Sequence, residues 1–120
     1  MNGLNAYKQQ SVVTEDPNIL ILKLYEGLVR FLSVVKVAME NEDIQEKFNN
    51  INRCIDIFDE LRASLNFDGG DIAYYLDGLY LFQIETLFEA GVSNDIAKID
   101  QVMKVARGLV EAWKDELSKA

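Results

Sequence analysis

The side chains here that could do covalent or proton chemistry are carboxylates, one thiol and a scatter of serine hydroxyls. Glu40, Glu42 and Asp43 cluster in one polar stretch, and Asp56, Asp59 and Glu60 follow one another at helical spacing. Grouped carboxylates can act as an acid–base pair or hold a metal. A di-iron helical bundle, however, needs Glu-x-x-His pairs, and the chain has no histidine. The same absence leaves Ser11, Ser33, Ser64, Ser93 and Ser118 without the usual activating base. Gly69-Gly70 is not followed by the Lys-Ser/Thr of a phosphate loop. Cys54, the one cysteine, stands among Ile51, Ile55 and Phe58, the setting of a buried structural thiol. It has no partner for an internal disulfide. The simplest reading of both acidic groups is solvation: a soluble turn and the wet side of a helix. No enzyme, cofactor site or metal site is expected.

The elements that carry these residues read as four helices. Pro17 suits a first helical turn, where its missing N–H would lack a partner anyway, with Asp16 or Thr14 as cap. The first helix is expected over about Pro17–Glu40, with Leu20, Leu24, Leu28, Phe31, Leu32 and Val35 as its core stripe. A second follows from about Ile44 to Leu65, burying Ile44, Phe48, Ile51, Ile55, Phe58 and Leu61. After a break at Gly69-Gly70, a third is expected from a cap at Asp71 to a left-handed stop at Gly91. The fourth, capped by Ser93 or Asn94, places Ile96, Ile99, Val102, Met103, Ala106, Val110, Trp113 and Leu117 inward. Short polar links between long helices favour an all-α, antiparallel four-helix bundle over residues 16–120. Residues 1–15 include Leu4, Tyr7, Val12 and Val13, too few apolar groups for a helix with its own buried face, and are expected to form a mobile N-terminal arm.

The third helix carries more apolar surface than a bundle uses. On a wheel of about 100° per residue, Ile72, Leu76, Leu79, Tyr80, Ile84 and Leu87 make one broad arc. Tyr74, Leu81 and Phe88, seven apart, make a second line, and Tyr75 and Phe82 a third. The first helix shows a milder excess at Ile19, Leu22, Val29 and Val37. Three explanations stand. The helix could be the most buried of the four, it could form a dimer seam, or it could line a groove for an apolar partner. A monomer rarely leaves a large contiguous apolar patch in water. The groove reading assigns Tyr74, Tyr75, Leu81, Phe82 and Phe88, with Leu22 and Val29 from the first helix.

Composition narrows the partner. The net charge is −8 with scattered positive residues, which disfavours a nucleic-acid backbone. No apolar run is long enough to span a bilayer, no basic amphipathic helix suggests membrane insertion, and the N-terminus lacks a secretory h-region. A cytoplasmic protein is expected.

Several ordered pieces resemble one family. They are "AYKQQSV" in the arm; "EDPNILILKLYEGLVRF", a Pro-led helix with a Leu-Tyr-x-Gly core; the Gly-Gly break before a helix containing Leu-x-x-Leu-Tyr; and "AGVSNDIAKIDQV" followed by "AWK". Their order and spacing over nearly the whole chain resemble the flagellar export chaperone FliS family. The resemblance implies a chaperone that binds the disordered C-terminal segment of flagellin, prevents premature polymerisation and delivers it to the type III export gate protein FlhA. It implies that Leu4 and Tyr7 serve gate docking, and it allows for a co-chaperone. The competing reading is a self-associating helical adaptor, a homodimer, for another amphipathic helix.

Overall fold

The structure, a computed structural model, describes residues 16–119. It contains α1 (Pro17–Glu40), α2 (Ile44–Ala63), α3 (Asp71–Ser93) and α4 (Ile96–Ser118), with a 3-10 turn at Phe67–Gly69 between α2 and α3. The expected bounds of α1 are met residue for residue.

Three helices begin at an aspartate whose carboxylate takes up a free N–H of the first turn. Asp16 Oδ1 accepts from the Asn18 N–H at 2.7 Å, Asp43 Oδ1 from Glu46 at 3.1 Å, and Asp95 Oδ1 from Ala97 at 3.0 Å. The cap of α4 is therefore Asp95, rather than Ser93 or Asn94. Asp71 is not a cap either. Gly70 precedes α3 at φ +107°, a conformation that favours glycine, and no side chain caps the helix. Asp71 lies inside the first turn, where its charge faces the positive end of the helix dipole.

The stop of α3 also differs from expectation. The helix runs past Gly91 to Ser93, and the left-handed residue is Asn94, at φ 54°. Asparagine tolerates that region better than most side chains. Gly91 serves packing instead: a Cβ there would lie 2.9 Å from Phe48 Cε1 and 3.1 Å from Ile51 Cδ1.

Cross-helix contacts fix the topology. Asn18 meets Trp113 and Lys36 meets Asp100, so the start of α1 lies beside the end of α4. Lys47 meets Gly91 and Arg62 meets Asp77, so α2 and α3 run antiparallel. The Arg53 guanidinium lies 5.4 Å from the Phe31 ring, and the open side of Gly27 faces Ile57. Consecutive helices pack against each other, and α1 packs against α4, closing a ring of four with α1 diagonal to α3.

The core inside that ring includes Leu24, Leu28, Leu32, Ile51, Phe58, Leu61, Leu87, Ile99 and Val102. Cys54 is fully buried within it, as its neighbours in sequence suggest. Tyr25 and Tyr80 reach across the diagonal, and their hydroxyls share a buried hydrogen bond of 2.6 Å. Three sequence assignments to the core move outward. Ile44 and Ile72 are both more than 60% exposed and Phe48 is 38% exposed, because the buried faces of α2 and α3 include Lys47, Asn50, Gln83 and Thr86. The inward faces of these two helices are partly polar and so do not coincide with their apolar stripes.

Candidate functional site

Rotation of α3 is set by Ala73, Tyr80, Leu87, Ala90 and Gly91, which point into the bundle. At about 100° per residue, that orientation turns both extra lines of the wheel to solvent. Tyr74, Tyr75, Phe82 and Phe88 are 62–67% exposed, and Leu81 is 39% exposed. They form two parallel rows, Tyr74–Leu81–Phe88 and Tyr75–Phe82, with Gly78 and Glu85 on the strip between them. The ring of Phe67, from the preceding turn, packs 4.9 Å from that of Tyr74 and extends the first row toward α2.

Two of the clefts formed by the described residues flank other parts of the bundle. One, of about 500 Å³, lies where the start of α1, the end of α2, the start of α3 and the end of α4 meet. Ile21, Leu65, Ile72, Leu76 and Trp113 line it, with the Tyr25 and Tyr80 rings. Its wall is fixed by the Trp113 indole N–H, which donates to the Asn18 carbonyl at 2.7 Å, and by the edge-on packing of Trp113 on Tyr25 at 6.1 Å. Burial pushes the ionisation of both Tyr hydroxyls up, so they remain neutral hydrogen-bonding partners at ordinary pH. The sequence signal for this cleft was Ile72 in a polar junction, which periodicity assigned to the core.

The second cleft, of about 530 Å³, lies between α1 and α4. Val29 and Val110 are its apolar members, framed by Glu26, Arg30, Arg107, Glu111 and Lys114.

The expected groove residues thus separate. Tyr74, Tyr75, Leu81, Phe82 and Phe88 share one outward face. Leu22 and Val29 are half-buried on α1, which neighbours α2 and α4 and stands diagonal to α3. Leu4 and Tyr7 lie outside the described residues.

Reactive chemistry does not assemble among the described residues. Burial pushes the Cys54 thiol well above its usual range, which removes its nucleophilic thiolate. Burial, with the charge of Asp59 nearby, raises the Asp56 carboxyl, yet no acidic or cysteine cluster among the described residues has the grouping of a metal site. No described helix is long and apolar enough to cross a membrane. What the surface offers is shape and exposed apolar area.

Comparison with known proteins agrees in length and fold. The family model described as "Flagellar protein FliS" matches residues 1–120. A flagellar secretion chaperone FliS of Campylobacter jejuni is 42% identical over 112 residues, covering 92% of this chain and 88% of that protein. The chaperone of the same name from Salmonella typhimurium is 33% identical, covering 99% and 93%. A crystal structure described as a flagellar chaperone from bacteria superposes with a TM-score of 0.81 at 21% identity, over 98% of this chain and 96% of that one. That last likeness speaks for the fold.

Proposed function

This chain belongs to the FliS family of flagellar secretion chaperones, and from that membership we propose that it binds the C-terminal segment of flagellin in the cytoplasm. Bound there, the segment cannot polymerise and stays competent for export. The observation that carries this reading is the outward face of α3, with four aromatic rings more than 60% exposed on one helix. Burying each such side chain contributes about 1.5–3 kcal/mol. Several together offset the ordering of a segment that is disordered when free. The mechanism is stoichiometric: the apolar face that flagellin would use to polymerise is occupied one-to-one, with no turnover.

The bundle of residues 16–120 is the flagellin-binding domain in this reading, and residues 1–15 are a docking arm. Leu4 and Tyr7 on that arm are the candidate contacts for the export gate protein FlhA, where the client is handed over.

Phe82→Asp tests the first half. The ring points to solvent, so circular dichroism should remain helical while titration with the flagellin C-terminal segment weakens by about tenfold or more. Unchanged affinity with an intact fold removes α3 from the binding surface. The double variant Leu4→Ala/Tyr7→Ala tests the second half: FlhA capture should fall while flagellin affinity holds, and equal FlhA capture ends the role given to the arm.

A further inference from the structure

Gly78 occupies the centre of the α3 face, and its neighbours on the helix surface are the residues three and four away: Tyr74, Tyr75, Leu81 and Phe82. Tyr74, Tyr75 and Phe82 are mostly exposed, and Leu81 is partly so. A Cβ built at Gly78 meets nothing within 4 Å among the described residues, so this glycine relieves no crowding inside the bundle. In the middle of a helix it is destabilising relative to alanine. The gap it leaves, walled by three rings and a leucine, has the form of the hole that receives a side-chain knob when helices interlock. Without a side chain on its floor, a second backbone can approach closely.

Charge indicates what approaches. Between Asp71 and Ser93, α3 has four carboxylates, Asp71, Asp77, Glu85 and Glu89, and neither Lys nor Arg. Arg62 of α2 takes Asp77 at 2.8 Å, and Lys98 of α4 takes Glu89 at 3.3 Å. Glu85 is exposed on the same strip as Gly78 and has no cationic partner among the described residues. It lies seven residues on, about 10 Å along the axis at 1.5 Å per residue. A second copy of this face would bring carboxylates against carboxylates. A helix with a basic residue would complement them.

We propose that the client segment crosses α3 as an amphipathic helix, seats one bulky apolar side chain over Gly78 between Tyr74, Tyr75, Leu81 and Phe82, and pairs a Lys or Arg about two turns away with Glu85. The proposal rests on the flagellin reading and specifies the point of closest approach and the charge the client must carry.

The full-length protein and the C-terminal segment of its own flagellin are the materials for the test. Gly78→Trp fills the hole from an open surface position, and its melting temperature should match or exceed that of the parent. Its affinity for the segment should fall at least about tenfold, as expected when one buried apolar side chain loses its seat. Gly78→Ala should weaken binding only a fewfold. Glu85→Lys should weaken it by about tenfold at low salt, and the difference from the parent should shrink as salt screens the pair. If Gly78→Trp binds within twofold of the parent, the crossing point is elsewhere, although flagellin binding itself stands. If the parent does not bind the segment, the flagellin reading fails first and takes this one with it. If the parent is a dimer that Gly78→Trp dissociates, a second copy fills the hole and the proposal is overturned.

Discussion

Adding one methyl group at Gly91 would drive it to 2.9 Å from Phe48 and 3.1 Å from Ile51, whereas the same methyl at Gly78 meets nothing within 4 Å among the described residues. Both glycines lie inside α3, and although the sequence reads Gly91 as a helix stop, nothing in it marks Gly91 as a packing position or Gly78 as an open one. Three-dimensional neighbours alone separate a packing glycine from a surface one. Gly78→Ala should therefore stabilise the fold by about 0.5–1 kcal/mol through helix propensity. Gly91→Ala should destabilise it by about 1–3 kcal/mol, because Ile51 is buried and the overpacked contact outweighs propensity. Urea denaturation of the two variants measures both signs. Tyr25 and Tyr80 give a second residue-scale case. Periodicity placed Tyr80 inward, but nothing in the sequence pairs it with a residue 55 positions away. Tyr80→Phe leaves the buried Tyr25 hydroxyl without its partner and should cost about 1–3 kcal/mol. Both hydroxyls ionise above the ordinary tyrosine value of 10.0 when folded. Their contribution is therefore complete below that pH and is lost as pH rises above it, since the unfolded chain then releases protons that the folded one retains. Stability of the parent should fall steeply above about pH 10, and less steeply in Tyr80→Phe.

Helix α3 lacks a basic residue in its last turn, where one would oppose the negative end of the helix dipole. The charge comes from α2. The buried Lys47 ammonium donates to the Gly91 carbonyl at 2.9 Å and to Asn94 Oδ1 at 3.2 Å, and it sits 4.6 Å from the Phe48 ring centre. One side chain thus joins the C-terminus of α3 to the start of α2 and holds the left-handed Asn94 in place. Lys47→Met keeps the aliphatic stem and removes the charge. It should destabilise the protein by about 1.5–3 kcal/mol, the usual weight of charged hydrogen bonds. Amide exchange should accelerate at the end of α3 while the start of α3 stays protected. Helix existence and the bounds of α1 were legible in the sequence because period and capping residues agree there. The inward face of α2 was less so: a lysine in the core face violates the apolar pattern, and its justification is a carbonyl on another helix. Gln83 and Thr86 displaced the reading of α3 in the same way. Thr86 satisfies its hydroxyl on the Phe82 carbonyl one turn back at 2.9 Å, which lets a polar residue face the core.

At the scale of the whole bundle, four antiparallel helices could be read from the chain, but which helices are neighbours could not. The closed ring puts α1 diagonal to α3, so Val29, in the α1–α4 cleft, and Phe82, on the outer face of α3, stand on different sides of the molecule. One helical client cannot cover both; a long segment that continues around the bundle can. The two places should then contribute independently, because separated sites without shared partners add within about 0.3–0.5 kcal/mol. For a long flagellin segment, Val29→Thr, which keeps shape but adds a polar group, should weaken binding a fewfold, Phe82→Asp by about tenfold or more, and the double variant by the product. Truncating the segment stepwise from one end should abolish sensitivity to one variant before the other. Calorimetric titration of the four proteins with each truncation reads this directly. If Val29→Thr never changes affinity, the client engages α3 alone. If the two effects fall short of the product, the client engages the two sides in alternation instead of together.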